Sequence, residues 1–315
     1  MDKTNRQIEY LQETIKAVSV IIPCKDEGTA IGATVLKVKQ ALEKTALDFE
    51  ILVVDDGSGD DSQKEALTAG ARVLVHPKNL GYGRSIMNGM EMARFPLIAI
   101  MDADGTYPLE RLPELIEKAG SHDMVVGRRA FNRNNSSLTG QFFRRGLYLL
   151  LLYLTNVSAL DFNSGFRVFR RQHTLPYRNL LCPTFSFTTS QTLIYLLNGR
   201  SVAFVPIAYS RRIGRSKVAY FKDALRTFSY VFLIANIFQA YRLSLLFILS
   251  GTFLNVAIAA LASAGLVSAA LQLGLHVAVS LFFVLCLLAL VVQPLSQIKL
   301  ASFDDSRGAT KGSGA

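Results

Sequence analysis

The stretch that most constrains the fold of this chain, residues 97–108, joins a buried strand to two carboxylates. Residues 97–101 are all apolar, and Asp102 and Asp104 follow at the end of the strand. Residues two apart in a strand point to the same side, so both carboxylates can face one object. Neighbouring like charges need a proton or a cation, and Mg²⁺ or Mn²⁺ suits carboxylate oxygens. The competing interpretation is a polar corner in which Asp104 and Gly105 make a turn, and the stretch alone favours neither.

Apolar strands alternate with helical segments along the first two thirds of the chain. This alternation predicts an α/β fold with a Rossmann-like, mostly parallel sheet that is covered by helices on both faces. The predicted strands are residues 18–23, 49–54, 71–75, 97–101, 124–127 and 201–206, with helices at 28–45 and 185–199.

Acidic residues follow several of the predicted strands. Sheets of this kind bind ligands beyond the carboxyl ends of their strands. Solvated acidic loops explain one or two of these residues, whereas a shared binding rim explains the whole set: Glu27, Asp55, Asp56, Asp102 and Asp104.

An incomplete glycine motif and a missing lysine loop argue against two common classes of nucleotide-binding protein. Gly81 and Gly83 invite a dinucleotide interpretation, but Ile86 occupies the third glycine position and the loop follows the third strand. The chain also lacks a Walker-type lysine loop, which argues against an ATPase.

Residues 130–140, rich in Asn and Ser, are predicted to form a lid at a strand end.

Charge is segregated along the chain. Residues 1–123 hold 14 basic and 20 acidic residues, whereas residues 124–222 hold 15 basic residues and one acidic residue, Asp161. The basic third should face phosphates, acidic lipid headgroups or nucleic acid. Nucleic acid is the least favoured of these partners, because the chain also carries an acidic rim and a long apolar segment.

That apolar segment covers residues 243–298, which contain no Asp, Glu, Lys or Arg. Its length exceeds two membrane spans of ~20 residues each. Arg242 and Lys299 lie outside the predicted spans, so the positive-inside rule places both flanks in the cytoplasm. Residues 218–242 are predicted to form an amphipathic helix at the membrane surface, with a buried core helix as the alternative.

These features predict an integral membrane protein whose catalytic domain and both termini are cytoplasmic. The polar start of the chain, residues 1–16, shows no signal peptide, and the three cysteines read as free thiols of a reducing compartment. The expected organisation is a catalytic domain at 1–217, the interfacial helix at 218–242, two spans within 243–298, and a disordered tail at 299–315.

Several motifs together resemble family 2 glycosyltransferases, in particular the polyprenyl-phosphate group that includes the dolichyl-phosphate mannose synthases. The resemblance covers residues 18–298 in the expected order. Its motifs are Ile21 to Glu27, Val53 to Ser58, Asn79 to Gly81, Asp102 to Asp104, Gly127 to Arg129, Asp161 to Arg167 and Arg212 to Lys217.

The resemblance implies an A-type glycosyltransferase fold that binds a nucleotide sugar and Mg²⁺ or Mn²⁺. Asp102, Asp104 and Arg129 would be the catalytic residues, with both aspartates holding metal and diphosphate. The nucleotide-sugar site would comprise Pro23, Lys25, Glu27, Asp55, Asp56, Asn79, Asp102, Ala103 and Asp104. Donor or acceptor phosphates would contact Arg128, Arg129, Arg144, Arg145, Arg167, Arg212 and Lys217.

Two positions depart from the mannose synthases. Thr106 occupies the place of a glutamine metal ligand, so the third protein ligand and the GDP-mannose specificity stay open. Cys24 and Lys25 replace the more common Thr-Tyr pair.

The expected reaction transfers a sugar, with inversion implied by the resemblance, to the phosphate oxygen of a polyprenyl phosphate at the membrane. A phosphate monoester is largely dianionic at neutral pH and needs no general base. The basic third, whose one carboxylate is Asp161, agrees with such an acceptor. The alternatives are a sugar-hydroxyl acceptor, as in polysaccharide synthases with a Gln-x-x-Arg-Trp motif absent from this tryptophan-free chain, and a non-catalytic nucleotide-binding membrane subunit. The sequence leaves open whether the protein forms a homo-oligomer.

Overall fold

In the computed structural model of the chain, the described residues are 15–129, 138–158, 161–208, 220–266, 268–284, 286 and 288. In the helices that begin at residues 138 and 220, side chains are described from residues 145 and 223 onward. Residues 130–137 of the predicted lid lie outside the described residues, as do Arg212, Lys217, the side chain of Arg144 and the tail at 299–315. The remaining residues of the predicted lid, 138–140, begin a helix.

Within the described residues, seven strands form one Rossmann-like mixed sheet in the order β3-β2-β1-β4-β6-β5-β7. The strands are β1 Ala17–Cys24, β2 Asp48–Asp55, β3 Arg72–Val75, β4 Leu97–Ile100, β5 Met124–Arg129, β6 Arg167–Arg170 and β7 Val202–Ile207. The helices are α1 Gly28–Leu42, α2 Ser62–Thr68, α3 Tyr82–Met92, α4 Leu112–Lys118, α5 Leu138–Thr155, α6 Arg171–Thr174, α7 Phe187–Leu197, α8 Tyr220–Phe238, α9 Ala240–Ser263 and α10 Ala269–Val284.

The predicted alternation of strands and helices is confirmed. Central strand β1 pairs in parallel with both β2 and β4, so the three carboxyl ends reach the same edge of the sheet. Cys24 at the end of β1 is level with Asp55 at the end of β2. Strands β1 and β4 are buried on both faces because helices cover both sides of a parallel sheet.

Strand β6 is the one described strand of the sheet that the sequence does not predict. It runs antiparallel to both β4 and β5 and separates them in the sheet. Its four residues begin and end with arginine, so they lack the apolar run of a buried strand. Arg167 nevertheless has no solvent exposure, and its burial is explained below by its hydrogen bonds.

The described residues divide into two compact units, the first ending at Val231 and the second beginning at Phe232. In the second unit, α9 has 24 residues and a mean hydropathy of 2.2, long and apolar enough to cross a membrane. Helix α10 is apolar but shorter, so the second predicted span is not confirmed over the described residues. Within the described residues the chain turns after α9, where Gly265 has a positive φ of 72°.

Gly83 packs against a segment far away in sequence. A Cβ atom added to it would lie 2.1 Å from the carbonyl oxygen of Cys182 and 2.9 Å from Cβ of Phe187. The adjacent amide of Arg84 donates to the carbonyl oxygen of Pro183 at 2.9 Å. The Gly81-to-Gly83 motif therefore serves close packing of α3 against the segment that precedes α7.

We expect Gly83→Ala to lower the free energy of unfolding by about 2 kcal/mol or more, because the new methyl group would meet a backbone oxygen that cannot yield alone. Denaturant unfolding of the purified protein measures this. Gly146→Ala is the matched control, since no atom of the residues that the structure describes lies within 4 Å of its added Cβ. Equal stability of the two variants would contradict the packing role of Gly83.

Candidate active site

A cavity of about 380 Å³ opens at the sheet edge where β1, β2 and β4 end. Most of the residues predicted for the nucleotide sugar line it, together with several that the sequence did not single out. Its lining comprises Pro23, Cys24, Lys25, Glu27, Asp56, Asn79, Gly81, Tyr82, Ser85, Asp102, Ala103, Asp104, Asn163, Thr184, Phe185, Thr188, Asp223 and Arg226.

Asp102 and Asp104 both line this cavity, as the spacing at the end of β4 predicts. The hydroxyl of Tyr82 donates to Oδ1 of Asp102 at 2.9 Å. Burial raises the pKa of the Asp102 carboxyl, and the negative charge of Asp104 raises it further. The hydrogen bonds from Tyr82 and Tyr107 and the charge of Arg129 act in the opposite direction without cancelling the increase.

Thr106 is placed behind Asp104 and is absent from the cavity lining. It is 1% exposed, and its hydroxyl and its backbone amide both donate to Oδ1 of Asp104, at 2.7 and 3.2 Å. The threonine therefore orients the carboxylate. The position of Thr106 in the sequence suggested a third metal ligand. In the structure it supports Asp104 instead.

The two aspartates fit a hard divalent cation because they bring two neighbouring carboxylates, and hence several oxygen ligands, to a cavity wall. Over the described residues, no group of three or more His, Cys, Asp and Glu side chains is arranged to hold a metal ion. A cation at this pair would therefore take its other ligands from a substrate or from water, which is usual for Mg²⁺ bound with phosphates.

Asp56 is held by the loop that enters α3. Its carboxylate accepts hydrogen bonds from the amides of Leu80 and Gly81 at 2.7 and 2.8 Å, and it contacts Nδ1 of His76 at 2.8 Å. Asn88 contacts the other ring nitrogen of His76 at 2.9 Å. An amide nitrogen donates to Nε2, so the neutral ring carries its proton on Nδ1 and donates it to Asp56. This network fixes one wall of the cavity.

Asp55 is brought close to this wall but does not line the cavity. It is 2% exposed, and its carboxylate accepts hydrogen bonds from the amide and hydroxyl of Ser58. It closes the turn after β2. Lys25, which does line the cavity, donates from Nζ to the carbonyl oxygen of Gly57 in the same turn.

Arg129, at the end of β5, forms a two-pronged ion pair with Asp161. Its Nε and Nη2 atoms lie 2.7 and 2.9 Å from the two carboxylate oxygens. Burial favours the neutral form of Asp161, but the hydrogen bonds and charge of Arg129 outweigh it and hold the pKa of this carboxyl below its ordinary value. Arg128 is half-buried next to it, and Arg145 is exposed on α5. None of these three arginines lines the cavity.

Arg167 lies in the interior, away from any phosphate that enters the cavity. Its guanidinium donates to the carbonyl oxygens of Ser164 and Thr188 and to the hydroxyl of Thr192. Burial lowers the pKa of Arg167 to about 10. In place of the predicted phosphate contact, the structure gives Arg167 the role of tying β6 to α7.

The sequence did not single out the wall that faces the aspartates. Tyr82 stacks on Phe185 with ring centroids 5.7 Å apart, and Gly165 passes close to both Tyr82 and Asp102. A Cβ added to Gly165 would lie 2.7 Å from Oδ1 of Asp102. Glycine in the Asn163-Ser-Gly165 run was the available signal, because a backbone that approaches another group closely requires it.

The charge of Asp102 gives a test of the metal site. The folded-state pKa of Asp102 is raised, so ionisation of this carboxyl lowers the free energy of unfolding once the pH rises above its unfolded-state pKa of ~3.9. At neutral pH in EDTA, Asp102→Asn should therefore raise the midpoint of thermal unfolding. Mn²⁺ should stabilise the wild type, by about 2.7 kcal/mol at a hundred times its Kd, but not the variant.

Asp123→Asn is the matched control, because Asp123 pairs with Arg200 and His173 outside the cavity. Burial opposes ionisation of Asp123, but its hydrogen bonds outweigh burial and lower its pKa. Its stabilising contribution is therefore present above its unfolded-state pKa, so the control should destabilise the protein and keep the response to Mn²⁺. Persistent Mn²⁺ stabilisation in Asp102→Asn would contradict the assigned site.

Comparison with known proteins agrees with this geometry. Residues 19–175 match the model of the family described as "Glycosyl transferase family 2". Undecaprenyl-phosphate 4-deoxy-4-formamido-L-arabinose transferase of Aeromonas hydrophila is 32% identical over 167 residues, 50% of each chain. Its counterpart in Pseudomonas fluorescens is 31% identical over 163 residues, 50% of this chain and 48% of the relative. The chain thus spans about half the length of the curated relatives it matches.

Solved structures share the fold. Glucosyl-3-phosphoglycerate synthase from Mycobacterium tuberculosis, in complex with phosphoglyceric acid, superposes with a TM-score of 0.58 at 17% identity, covering 72% of this chain and 82% of that one. The same enzyme with Mn²⁺, UDP-glucose and phosphoglyceric acid gives a TM-score of 0.57 at 18% identity, covering 72% and 83%. On the match to the family model and the curated relatives, the chain contains a domain of glycosyltransferase family 2.

Proposed function

We propose that this protein transfers a sugar from a UDP- or GDP-linked donor to polyprenyl phosphate at a membrane. The observation that carries the proposal is the pair Asp102 and Asp104, which brings two carboxylates to a cavity at the end of β4. Burial and the negative charge of Asp104 raise the pKa of Asp102. A bound cation would offset this electrostatic repulsion between the two carboxylates.

The relatives support the acceptor, and the structural neighbours support the donor. The Aeromonas and Pseudomonas relatives are named as undecaprenyl-phosphate sugar transferases. The mycobacterial synthase was crystallised with Mn²⁺ and UDP-glucose, and also with Mg²⁺ and UDP. Because the matches cover half of each relative, both substrates belong to the proposal.

In this proposal, different residues bind the nucleotide-sugar donor and the acceptor phosphate. Pro23, Lys25 and Asn79 form the wall for the nucleoside, with Asp56 as its rigid support. A bound Mg²⁺ or Mn²⁺ would neutralise charge on the departing diphosphate. Arg129 lies close enough to lower the pKa of Asp102, and its pairing with Asp161 fixes its orientation. Arg128 and the basic residues beyond it would draw the acceptor phosphate toward the donor.

The membrane part of the proposal rests on α9. It is the one helix among the described residues that is long and apolar enough to span a bilayer. A polyprenyl phosphate presents its headgroup at the bilayer surface, so an adjacent span would keep the enzyme at its acceptor. The second span, the interfacial helix at 218–242 and the cytoplasmic orientation are part of the same proposal.

A second candidate function is transfer to a sugar hydroxyl. The observation in its favour is Asp223, a carboxylate that lines the cavity one residue beyond the basic third of the chain. A hydroxyl acceptor needs a general base, whereas a phosphate acceptor does not. The two candidates therefore differ in their dependence on this carboxylate.

The direct test incubates the purified full chain with polyprenyl phosphate and a panel of UDP- and GDP-sugars. We expect one nucleotide sugar to yield a lipid-linked sugar, and EDTA to abolish its formation. Asp104→Ala should lower the rate at least about a hundredfold while the protein stays folded. Glu43→Ala, which removes an exposed carboxylate outside the cavity, should not change the rate. A rate that is unchanged with polyprenol instead of polyprenyl phosphate would refute the acceptor.

Asp223→Asn separates the two candidate acceptors. With a phosphate acceptor we expect the variant to retain at least about a tenth of the activity and the pH profile of the wild type, because no proton has to be removed. Loss of a general base would lower kcat by about a hundred- to ten-thousandfold and change that profile. Such a loss in a folded variant would favour the sugar-hydroxyl reaction.

A further inference from the structure

Thr188 carries a buried hydroxyl that no hydrogen bond among the described residues satisfies. The residue lies in the first turn of α7, is 2% exposed and lines the cavity. Its Oγ1 atom has no hydrogen-bond partner among the described residues. Its backbone carbonyl, in contrast, accepts a hydrogen bond from Arg167 at 3.0 Å. Arg167 therefore holds the backbone in place while the side chain faces the cavity unsatisfied, which a buried hydroxyl tolerates poorly.

The neighbours of Thr188 form one wall, which we call the neutral wall. Arg226 donates to the hydroxyl of Thr184 at 3.0 Å and lies 3.9 Å from the carboxylate of Asp223. The hydroxyl of Thr189 donates to Oδ1 of Asn163 and thereby orients that amide. The wall consists of Asn163, Thr184, Phe185, Thr188, Asp223 and Arg226.

The charges around the cavity decide what this wall can bind. Seven Lys, Arg, Asp and Glu residues line the cavity, and five of them are acidic: Lys25 and Arg226 against Glu27, Asp56, Asp102, Asp104 and Asp223. Arg226 is the cation of the neutral wall, and it is paired with Asp223. A phosphate bound against the neutral wall would meet this excess of negative charge, whereas an uncharged sugar ring would not. The acceptor phosphate would instead approach from the side of Arg128 and the basic residues beyond it.

The rest of the neutral wall also suits a sugar ring. Phe185 is 41% exposed and stacks on Tyr82, so it offers an apolar surface at the rim of the cavity. Sites for small ligands commonly combine such a surface with a few placed hydroxyl and amide groups. Threonine hydroxyls can both donate and accept hydrogen bonds, as sugar hydroxyls do.

We infer that the neutral wall is the subsite for the transferred sugar and that Thr188 determines which sugar is used, by hydrogen bonding to one polar substituent of its ring. This inference rests on the proposed function. A site built to hydrogen-bond a hydroxyl rejects the analogue that lacks it, because a buried polar group is then left without a partner. Thr188 thus acts as a specificity-determining residue.

The test uses the full chain, the donor found in the transfer assay, and analogues of that donor lacking one ring hydroxyl at a time. The wild type should lose at least about a hundredfold in kcat/KM at one ring position. Thr188→Val should lower kcat/KM for the natural donor roughly ten- to a hundredfold. At that ring position, the variant should treat the natural sugar and its deoxy analogue nearly alike.

Two measurements exclude a merely structural effect. Thr188→Val removes no hydrogen bond to any residue that the structure describes, so the midpoint of thermal unfolding should be unchanged or higher. Calorimetric binding of UDP or GDP, which lack the transferred sugar, should also be unchanged. Thr68→Val is the matched control, because Thr68 is exposed on α2 and lies outside the cavity.

Three results would overturn the inference. The first is a Thr188→Val enzyme that discriminates against every deoxy analogue as the wild type does. The second is weaker binding of the nucleoside diphosphate itself, which would place Thr188 against the nucleotide. The third is a wild type that binds UDP or GDP but gains no affinity from any attached sugar, which would overturn this subsite and the proposed function together. Sugar-dependent binding without transfer to polyprenyl phosphate would contradict the proposed acceptor alone and leave the subsite supported.

Discussion

The repulsion between Asp102 and Asp104 is the constraint on which the rest of the site depends. The sheet places both carboxylates at the end of a buried strand, where burial already disfavours charge. The surrounding groups moderate this repulsion without removing it. Tyr82 donates to Asp102, Thr106 donates to Asp104, and Arg129 contributes its charge from the end of β5. What remains is a local deficit of positive charge, which suits a divalent cation and a diphosphate that arrive together.

The opposite side of the cavity is organised around a buried cation. Arg167 hydrogen-bonds to the neutral acceptors Ser164, Thr188 and Thr192, and these bonds connect β6 with the start of α7. An interior charge needs such a set of acceptors to be tolerated. In return, the cation fixes the backbone of Thr188 through its hydrogen bond to the carbonyl oxygen of that residue. The same hydrogen bonds of Arg167 therefore stabilise the packing of α7 and position Thr188 in the neutral wall.

The sequence predicts the acidic half of this arrangement well. Buried parallel strands are apolar runs, and their carboxyl ends meet at one edge, so Glu27, Asp56 and Asp102 could be placed together from local patterns. Strand β6 could not be predicted, because its burial depends on hydrogen bonds from Arg167 to residues more than 20 positions away. The neutral wall was missed for the same reason. No local motif marks Thr184 and Thr188 as cavity residues, because they reach the cavity wall only when α7 and α8 pack together.

The central claim is that Asp102 and Asp104 hold a divalent cation together with the donor diphosphate. Electron paramagnetic resonance of Mn²⁺ with UDP or GDP tests it most directly, because phosphate oxygens bound to the metal produce hyperfine coupling to phosphorus. The account predicts that one of the two nucleotides shows this coupling with the wild type. The coupling should disappear in Asp102→Asn and in Asp104→Asn. Bound Mn²⁺ without phosphorus coupling, or coupling that survives both substitutions, would contradict the account.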